Sequence, residues 1–197
     1  MLIDTKYLQV LIRLRRMGLL KKEDIQNYGL LHILCREDYF IEKRFRFLVE
    51  WDPSALTQTN EYGWLPIHCT SAESSIRGLE LAFENGILYF PKKKGINLLF
   101  REDKYGETPF QLACEKYKPK QVNEIVEDTL IRYITSFDNH ASPLNIADAL
   151  MMAALEENVH LDSVYTLIRR QPDILQKILS ESDADADADV DATSEVI

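Results

Sequence analysis

The chain is short of glycine, short of cysteine and without any long apolar run, and each shortage removes a class of protein. Seven glycines in 197 residues leave few for loops that cradle phosphates, because most of them fall where turns or helix ends need them. The sequence contains no G-x-S-x-G, no H-E-x-x-H and no Gly-rich phosphate loop, the motifs by which common hydrolases, metalloproteases and nucleotide enzymes are read. Paired carboxylates such as Glu156 and Glu157 are adjacent on a predicted helix, where they point apart. The expectation is a non-enzyme without cofactor. No stretch approaches the roughly 18 uninterrupted apolar residues that a membrane span requires. The first 20 residues are broken by Arg13, Arg15 and Arg16, which argues against a secretory signal. Asp4, Glu23 and Asp24 argue against a transit peptide. An intracellular, cytoplasmic protein is expected, with no membrane contact.

Three cysteines suit a reducing compartment. Cys35, Cys69 and Cys114 form no C-x-x-C. His32 precedes Cys35 by three residues and His68 adjoins Cys69, spacings that match no metal site, so these are read as core thiols and no metal is expected. Basic charge is also scarce beyond residue 180: Glu181, Asp183, Asp185, Asp187, Asp189, Asp191 and Glu195 meet no Lys or Arg there. Of a formal net charge of −9, that segment carries seven units, leaving 23 basic against 25 acidic residues in the body. Such a balance gives nucleic acid no basic footprint. Segment 181–197 has no aromatic residue and is low in complexity, so it is expected to be a disordered acidic tail. Its alternating Asp residues imitate the start of a calcium loop, but from Asp183 the positions needing Gly and Glu hold Ala188 and Ser194, and calcium is rejected.

What the chain does contain is a capped helix behind a tight turn. In Asp103-Lys-Tyr-Gly106-Glu-Thr108-Pro109-Phe110-Gln-Leu-Ala113-Cys114, Asp103 and Gly106 bracket a turn, Thr108 is placed as N-cap and Pro109 takes the first helical position. Phe110, Ala113 and Cys114 then open an apolar face. This stretch resembles the ankyrin repeat, whose turn Gly is followed by T-P-L-H-x-A, with Phe110 and Gln111 standing for Leu and His. Further copies are partial. Asn60-Glu-Tyr-Gly63-Trp-Leu65-Pro66-Ile67-His68 keeps turn, Pro and His, with Leu65 at the cap. Asn27-Tyr28-Gly29 leads into Leu31-His32-Ile33-Leu34-Cys35, and Ser142-Pro143-Leu144-Asn145-Ile146-Ala147 keeps cap, Pro and Ala. A second internal match is gapless: residues 31–56 align with 150–175 at a constant offset of 119, pairing Leu48 with Leu167, Pro53 with Pro172 and Leu56 with Leu175. It sets a register for the last helix pair several residues from the one anchored on Ser142, and Ser142-Pro143 is then read as the cap of a lengthened first helix.

The resemblance implies an all-α fold, an ankyrin-like solenoid of stacked helix pairs. Residues 1–28 would form N-terminal capping helices, 29–180 about four divergent repeats, and 181–197 the tail. In the leading segment Tyr7, Val10, Leu11, Leu14 and Met17 recur as one stripe that would cover the first repeat. A helix is predicted over 66–72 and another over 75–84, closed by a left-handed cap at Asn85-Gly86. Residues 87–100 are then expected as an inserted loop with apolar ends and an exposed basic tip, either a contact or a solvated loop. A further helix is expected over 122–137. Ankyrin-like proteins are binding scaffolds, so the resemblance implies a monomer that docks a protein partner on its turn tips and concave inner-helix face. The alternative is a structural subunit of a larger complex. Candidate contacts are Tyr62, Trp64, Tyr105 and Glu107 at the turns and Lys92, Lys93 and Lys94 at the insertion. Trp64 has an alternative role, packing on the neighbouring turn where the capping Thr is missing.

Overall fold

Helix starts are written into the chain by side chains that occupy the free amide groups of a first turn. At Thr108 the hydroxyl accepts from the Gln111 amide at 3.2 Å, and Gln111 Oε1 accepts in return from the Thr108 amide at 2.9 Å. Ser75 caps its helix through Gly78 N at 3.3 Å. Where Leu65 stands at the cap and has no hydroxyl, His68 Nδ1 takes the Leu65 amide at 3.0 Å. The computed structural model describes residues 2–90, 93–137, 150–151, 154–155 and 159–169. Ten helices are formed among them: α1 (Leu2–Arg16), α2 (Lys22–Asn27), α3 (Leu30–Cys35), α4 (Glu42–Trp51), α5 (Pro66–Ala72), α6 (Ile76–Tyr89), α7 (Lys93–Asn97), α8 (Pro109–Lys116), α9 (Pro119–Phe137) and α10 (Leu161–Arg169). Asp52, held before Pro53, stops α4 and passes the chain into a 3-10 turn over Pro53–Thr57. The described residues are all-α: they hold no strand beyond an isolated bridge between Arg101 and Val159, and no helix among them is long and apolar enough to cross a membrane.

Packing follows sequence order. Helix α3 packs on α4, α5 on α6 and α8 on α9, while α3, α5 and α8 lie side by side and α4, α6 and α9 touch behind them. Phe45, Leu48 and Val49 of α4, Leu79, Ala82 and Phe83 of α6, and Val122, Val126 and Leu130 of α9 are buried in one apolar core. The gapless match is visible in this core. Adding 119 to the bounds of α4 lands on α10, and Phe45, Leu48 and Val49 fall on Val164, Leu167 and Ile168, all of them buried. Leu31 falls on Leu150, each 1% exposed. Ser142 and Pro143, most of the first half of that final pair, and the whole segment 181–197 lie outside the described residues.

Three expectations are corrected. Asn85-Gly86 does not end a helix: α6 runs on to Tyr89, because Asn85 Nδ2 donates to the Leu81 carbonyl at 2.7 Å and buried Ile87 continues the apolar face. Residues 87–100 are accordingly not a loop throughout, although Ile87 at one end and Phe100 at the other are buried and Lys94 is exposed as expected. Their first part is α6 and their middle is α7, and Ile96, Leu98, Leu99 and Phe100 are buried. The leading stripe is turned differently as well. Of that stripe Leu11 and Leu14 lie on the half-buried side of α1, together with Leu8 and Ile12, whereas Tyr7, Val10 and Met17 are more than half exposed. Polar contacts set that rotation: Arg44 of α4 donates to Asp4 at 2.9 Å and the Arg15 guanidinium sits 4.3 Å over the Trp51 ring.

Contact between α6 and α7 depends on Gly95. A β-carbon there would lie 2.3 Å from the Phe90 carbonyl oxygen and 2.7 Å from that of Gly86, backbone atoms that cannot step aside as a side chain does. Gly95→Ala should therefore cost about 2 to 3 kcal/mol in urea denaturation. A variant as stable as the parent would return residues 87–100 to a loop.

Candidate partner-binding groove

Two turns repeat each other atom for atom at an offset of 43 residues. Asn60 Oδ1 accepts from the amides of Tyr62 and Trp64 at 2.9 and 3.0 Å, and Asp103 Oδ1 accepts from those of Tyr105 and Glu107 at 2.7 and 3.0 Å. Each turn is closed by a backbone bond of 2.9 Å, from the Asn60 amide to the Trp64 carbonyl and from the Asp103 amide to the Glu107 carbonyl. Gly63 and Gly106 supply the positive φ, 83° and 81°. The turns are joined side by side. The Lys104 amide donates to the Tyr62 carbonyl at 3.3 Å, Lys104 Nζ donates to the Glu61 carbonyl at 2.5 Å, and Trp64 Nε1 donates to Asp103 Oδ2 at 2.7 Å.

Buried imidazoles tie turns to helices from beneath. His32 Nε2 donates to the Trp64 carbonyl at 2.9 Å, one unit along. His68 is fully buried and stacks on Trp64 with centroids 6.3 Å apart. Because its Nδ1 accepts the Leu65 amide, the neutral ring carries its proton on Nε2. That nitrogen has no partner in good hydrogen-bond geometry, although the Glu107 and Arg101 carbonyls on that side favour the protonated ring. Burial outweighs them and brings the His68 pKa down to about 4. Burial lowers that of His32 too, against the pull of the Trp64 and Gln58 carbonyls. Gln111, the residue in the place of His68, donates from Nε2 to His160 Nε2 at 3.2 Å. Burial would raise the Asp103 carboxyl, but the Glu107 and Tyr105 amides and the Trp64 indole hold it below the usual range.

Arg36, Asn60, Tyr62, Trp64, Cys69, Glu73 and Tyr105 line a shallow groove of about 270 Å³ beside these turns. The groove brings Tyr62, Trp64 and Tyr105 together. Tyr62 and Tyr105 are 48% and 73% exposed, whereas Trp64 is half-buried and bonded to Asp103, so Trp64 packs on the neighbouring turn. Glu107 is exposed on its turn without lining the groove. Lys94 is not brought there: it lies exposed on α7 with its Nζ 5.0 Å from the Phe90 ring centroid. Lys92 and the side chain of Lys93 lie outside the described residues. Sequence reasoning missed Arg36 and Glu73, whose 2.7 Å ion pair crosses the groove from the end of α3 to the end of α5. It also passed over Tyr28, which is 69% exposed and precedes a third glycine of positive φ, Gly29. The shared Tyr-Gly pair was the available signal.

Cys69 lines the groove. Burial pushes the Cys69 thiol up to about 12 and that of Cys114 to about 11, which keeps both protonated and unreactive at neutral pH. No group of three His, Cys, Asp or Glu side chains placed to hold a metal ion occurs among the described residues. A second hollow of about 330 Å³ lies near Lys22 and Gln26, where buried Asp52 accepts from Ser54 Oγ at 2.5 Å and Gln26 Nε2 at 2.6 Å. No family model, no curated protein and no solved structure matches the chain at a significant level.

The imidazole at His68 makes stability depend on pH in a defined sense. Its folded pKa, about 4, is below the unfolded value of 6.5, so the unfolded chain takes up the proton first as pH falls. The His68 contribution is complete above about pH 6.5, declines toward pH 4 and changes no further below, with a ceiling of about 3 kcal/mol from the shift. His68→Gln, which keeps an acceptor for the Leu65 amide as Gln111 does for Thr108, should flatten that decline. Urea denaturation of both chains across the window checks it, and parallel curves would clear His68 of the effect. The turns make a second test. Alanine at Gly63 or Gly106 should cost about 1 kcal/mol for the positive φ alone. Gly63→Ala should cost more, because its β-carbon would meet Lys104 N at 3.0 Å while that of Gly106 meets nothing within 4 Å.

Proposed function

We propose that the chain is a non-catalytic protein-binding scaffold of ankyrin type, a solenoid of divergent helix pairs whose partner docks on the turn tips and the inner-helix face. The observation that carries this reading is the pair of turns at an offset of 43, built from the same hydrogen bonds and presenting Tyr62 and Tyr105 beside one groove. Helix pairs that touch in sequence order and the α4-to-α10 match support the solenoid. The exposed tyrosines support the docking role: a phenol offers a large rigid contact area and one polar tip, at little cost in conformational freedom. Arg36 and Glu73 add a charge of each sign at the groove wall, suited to fixing the register of an extended segment rather than to selecting one net charge.

The division between structural and contacting aromatics is the test. Tyr62→Ala and Tyr105→Ala should each weaken partner capture about tenfold or more while stability stays within about 0.5 kcal/mol. Trp64→Ala should instead lower stability by about 2 kcal/mol, since it removes the bond to Asp103 and the cover over His68. Capture from native extract on the immobilised chain, read beside the melting temperature of each variant, separates the two. Undiminished capture by the double tyrosine variant would reject the groove as the docking site.

A further inference from the structure

The outer face of α1 carries a pattern that neither the core nor the groove uses. At 100° per residue Lys6, Val10, Arg13 and Met17 fall on one line, spaced i, i+4, i+7 and i+11, and all four are exposed. Exposed Tyr7 and Arg16 flank the line. The one carboxylate of the helix, Asp4, is on the inner side, held by Arg44 at 2.9 Å and by the Lys43 amide at 3.1 Å. Arg15 is on that side too, over the Trp51 ring. This leaves Lys6, Arg13 and Arg16 with no ion pair among the described residues, on a surface where charge and apolar groups alternate.

We propose that the acidic segment 181–197 of the same chain docks on this outer face of α1. The complementarity is of sign and of pattern. The segment holds seven acidic and no basic residues, and in it Asp183, Asp185, Asp187, Asp189 and Asp191 alternate with Ala and Val, as cations alternate with Val10 and Met17 on the helix. A lipid surface suits the face less well, because an interfacial helix needs an apolar side free of charge, and here the charges sit on the apolar line itself. Reach is sufficient. From Arg169 to Asp183 the extended chain covers about 45 to 50 Å, against about 30 to 40 Å from α1 through α4, α6 and α9, packed in turn at 8 to 10 Å per step, with α10 counted as a fourth step. Tethering places the segment at an effective concentration of order millimolar, so several weak, screened ion pairs suffice to fill the face. Docked there, the segment covers the leading helix against other acidic partners while leaving the tyrosine groove open.

The full chain tests this with a spin label at Asp187→Cys and amide signals read by NMR. The native thiols are raised in pKa and buried or half-buried, which favours the new cysteine for labelling. The label should broaden Val10, Arg13 and Met17 at about 0.01 M salt, and their intensity should return at about 1 M, where screening acts within a few ångströms. The Arg13→Glu, Arg16→Glu double variant should lose the broadening with its helical circular dichroism unchanged, and roughly tenfold dilution should leave the parent signal as it was, as a contact within one chain requires. Unbroadened α1 signals at low salt, broadening at the Tyr62 and Tyr105 turns instead, persistence in the charge-reversed variant, or a signal that fades on dilution and so comes from a second copy would each overturn the proposal.

Discussion

The described architecture depends on the register between one turn and the next, and a buried or half-buried polar side chain at the third position of α3, α5 and α8 sets it. His32, His68 and Gln111 occupy that position on α3, α5 and α8. His68 and Gln111 each accept the amide of their own cap residue, while His32 and Gln111 reach into the neighbouring unit. Apolar packing alone would not fix this register, since helices in contact can slide by a turn at modest loss of buried area. A buried polar group left without its partner costs about 1 to 3 kcal/mol, and that penalty makes slippage unfavourable. Neutral imidazole can accept at one nitrogen and donate at the other: His68 uses the acceptor and His32 the donor, and burial of the neutral ring also ties the fold to pH.

A second row of contacts ties the other end of the inner helices. Arg36 meets Glu73 across α3 and α5, and Lys116 Nζ and Tyr117 Oη both donate to the Ser74 carbonyl, at 2.6 and 2.5 Å, across α5 and α8. The exposed ion pair contributes little on its own. The two bonds to Ser74 matter more, because that carbonyl lies at the end of α5 and would otherwise lack a helical donor. Helices α3 and α5 are thereby each fastened at both ends to the next, α5 and α8.

How much of this could be read from residues alone divides along a physical line. Local signals were legible: Thr108-Pro109 and the Asp103 to Gly106 turn contain their own hydrogen-bond partners, and the helix over Pro66–Ala72 begins and ends where its cap and sequence place it. The offset of 119 was legible too, because burial repeats with it in α4 and α10. What failed was orientation set by distant partners. Asn85-Gly86 has the composition of a helix end, yet the backbone there is buried against α7, and glycine serves close approach rather than a left-handed cap. The stripe on α1 was right for Leu11 and Leu14 and wrong for Tyr7, Val10 and Met17, since nothing near Tyr7 in sequence announces that Arg44 and Trp51 will hold Asp4 and Arg15. Arg36 and Glu73 were invisible for the same reason: 37 residues separate them.

Division of labour within the turns leaves the tyrosine side chains exposed. Backbone geometry at each tip is specified by Asn60 or Asp103, whose one oxygen collects two amides, and by the glycine that follows the tyrosine. No hydrogen bond that closes either turn involves a tyrosine side chain, and Tyr105 is exposed over nearly three quarters of its surface. Apolar area left in water at a position without structural duty gains free energy only when something covers it. Trp64 shows the contrast within the same few residues: its indole nitrogen is committed to Asp103 and its ring to His68, so it fixes the platform on which the tyrosines are displayed. A surface built this way can change its contacting side chains while the hydrogen bonds that shape the turn stay as they are, which is the property a docking face needs to acquire a new partner without losing its fold.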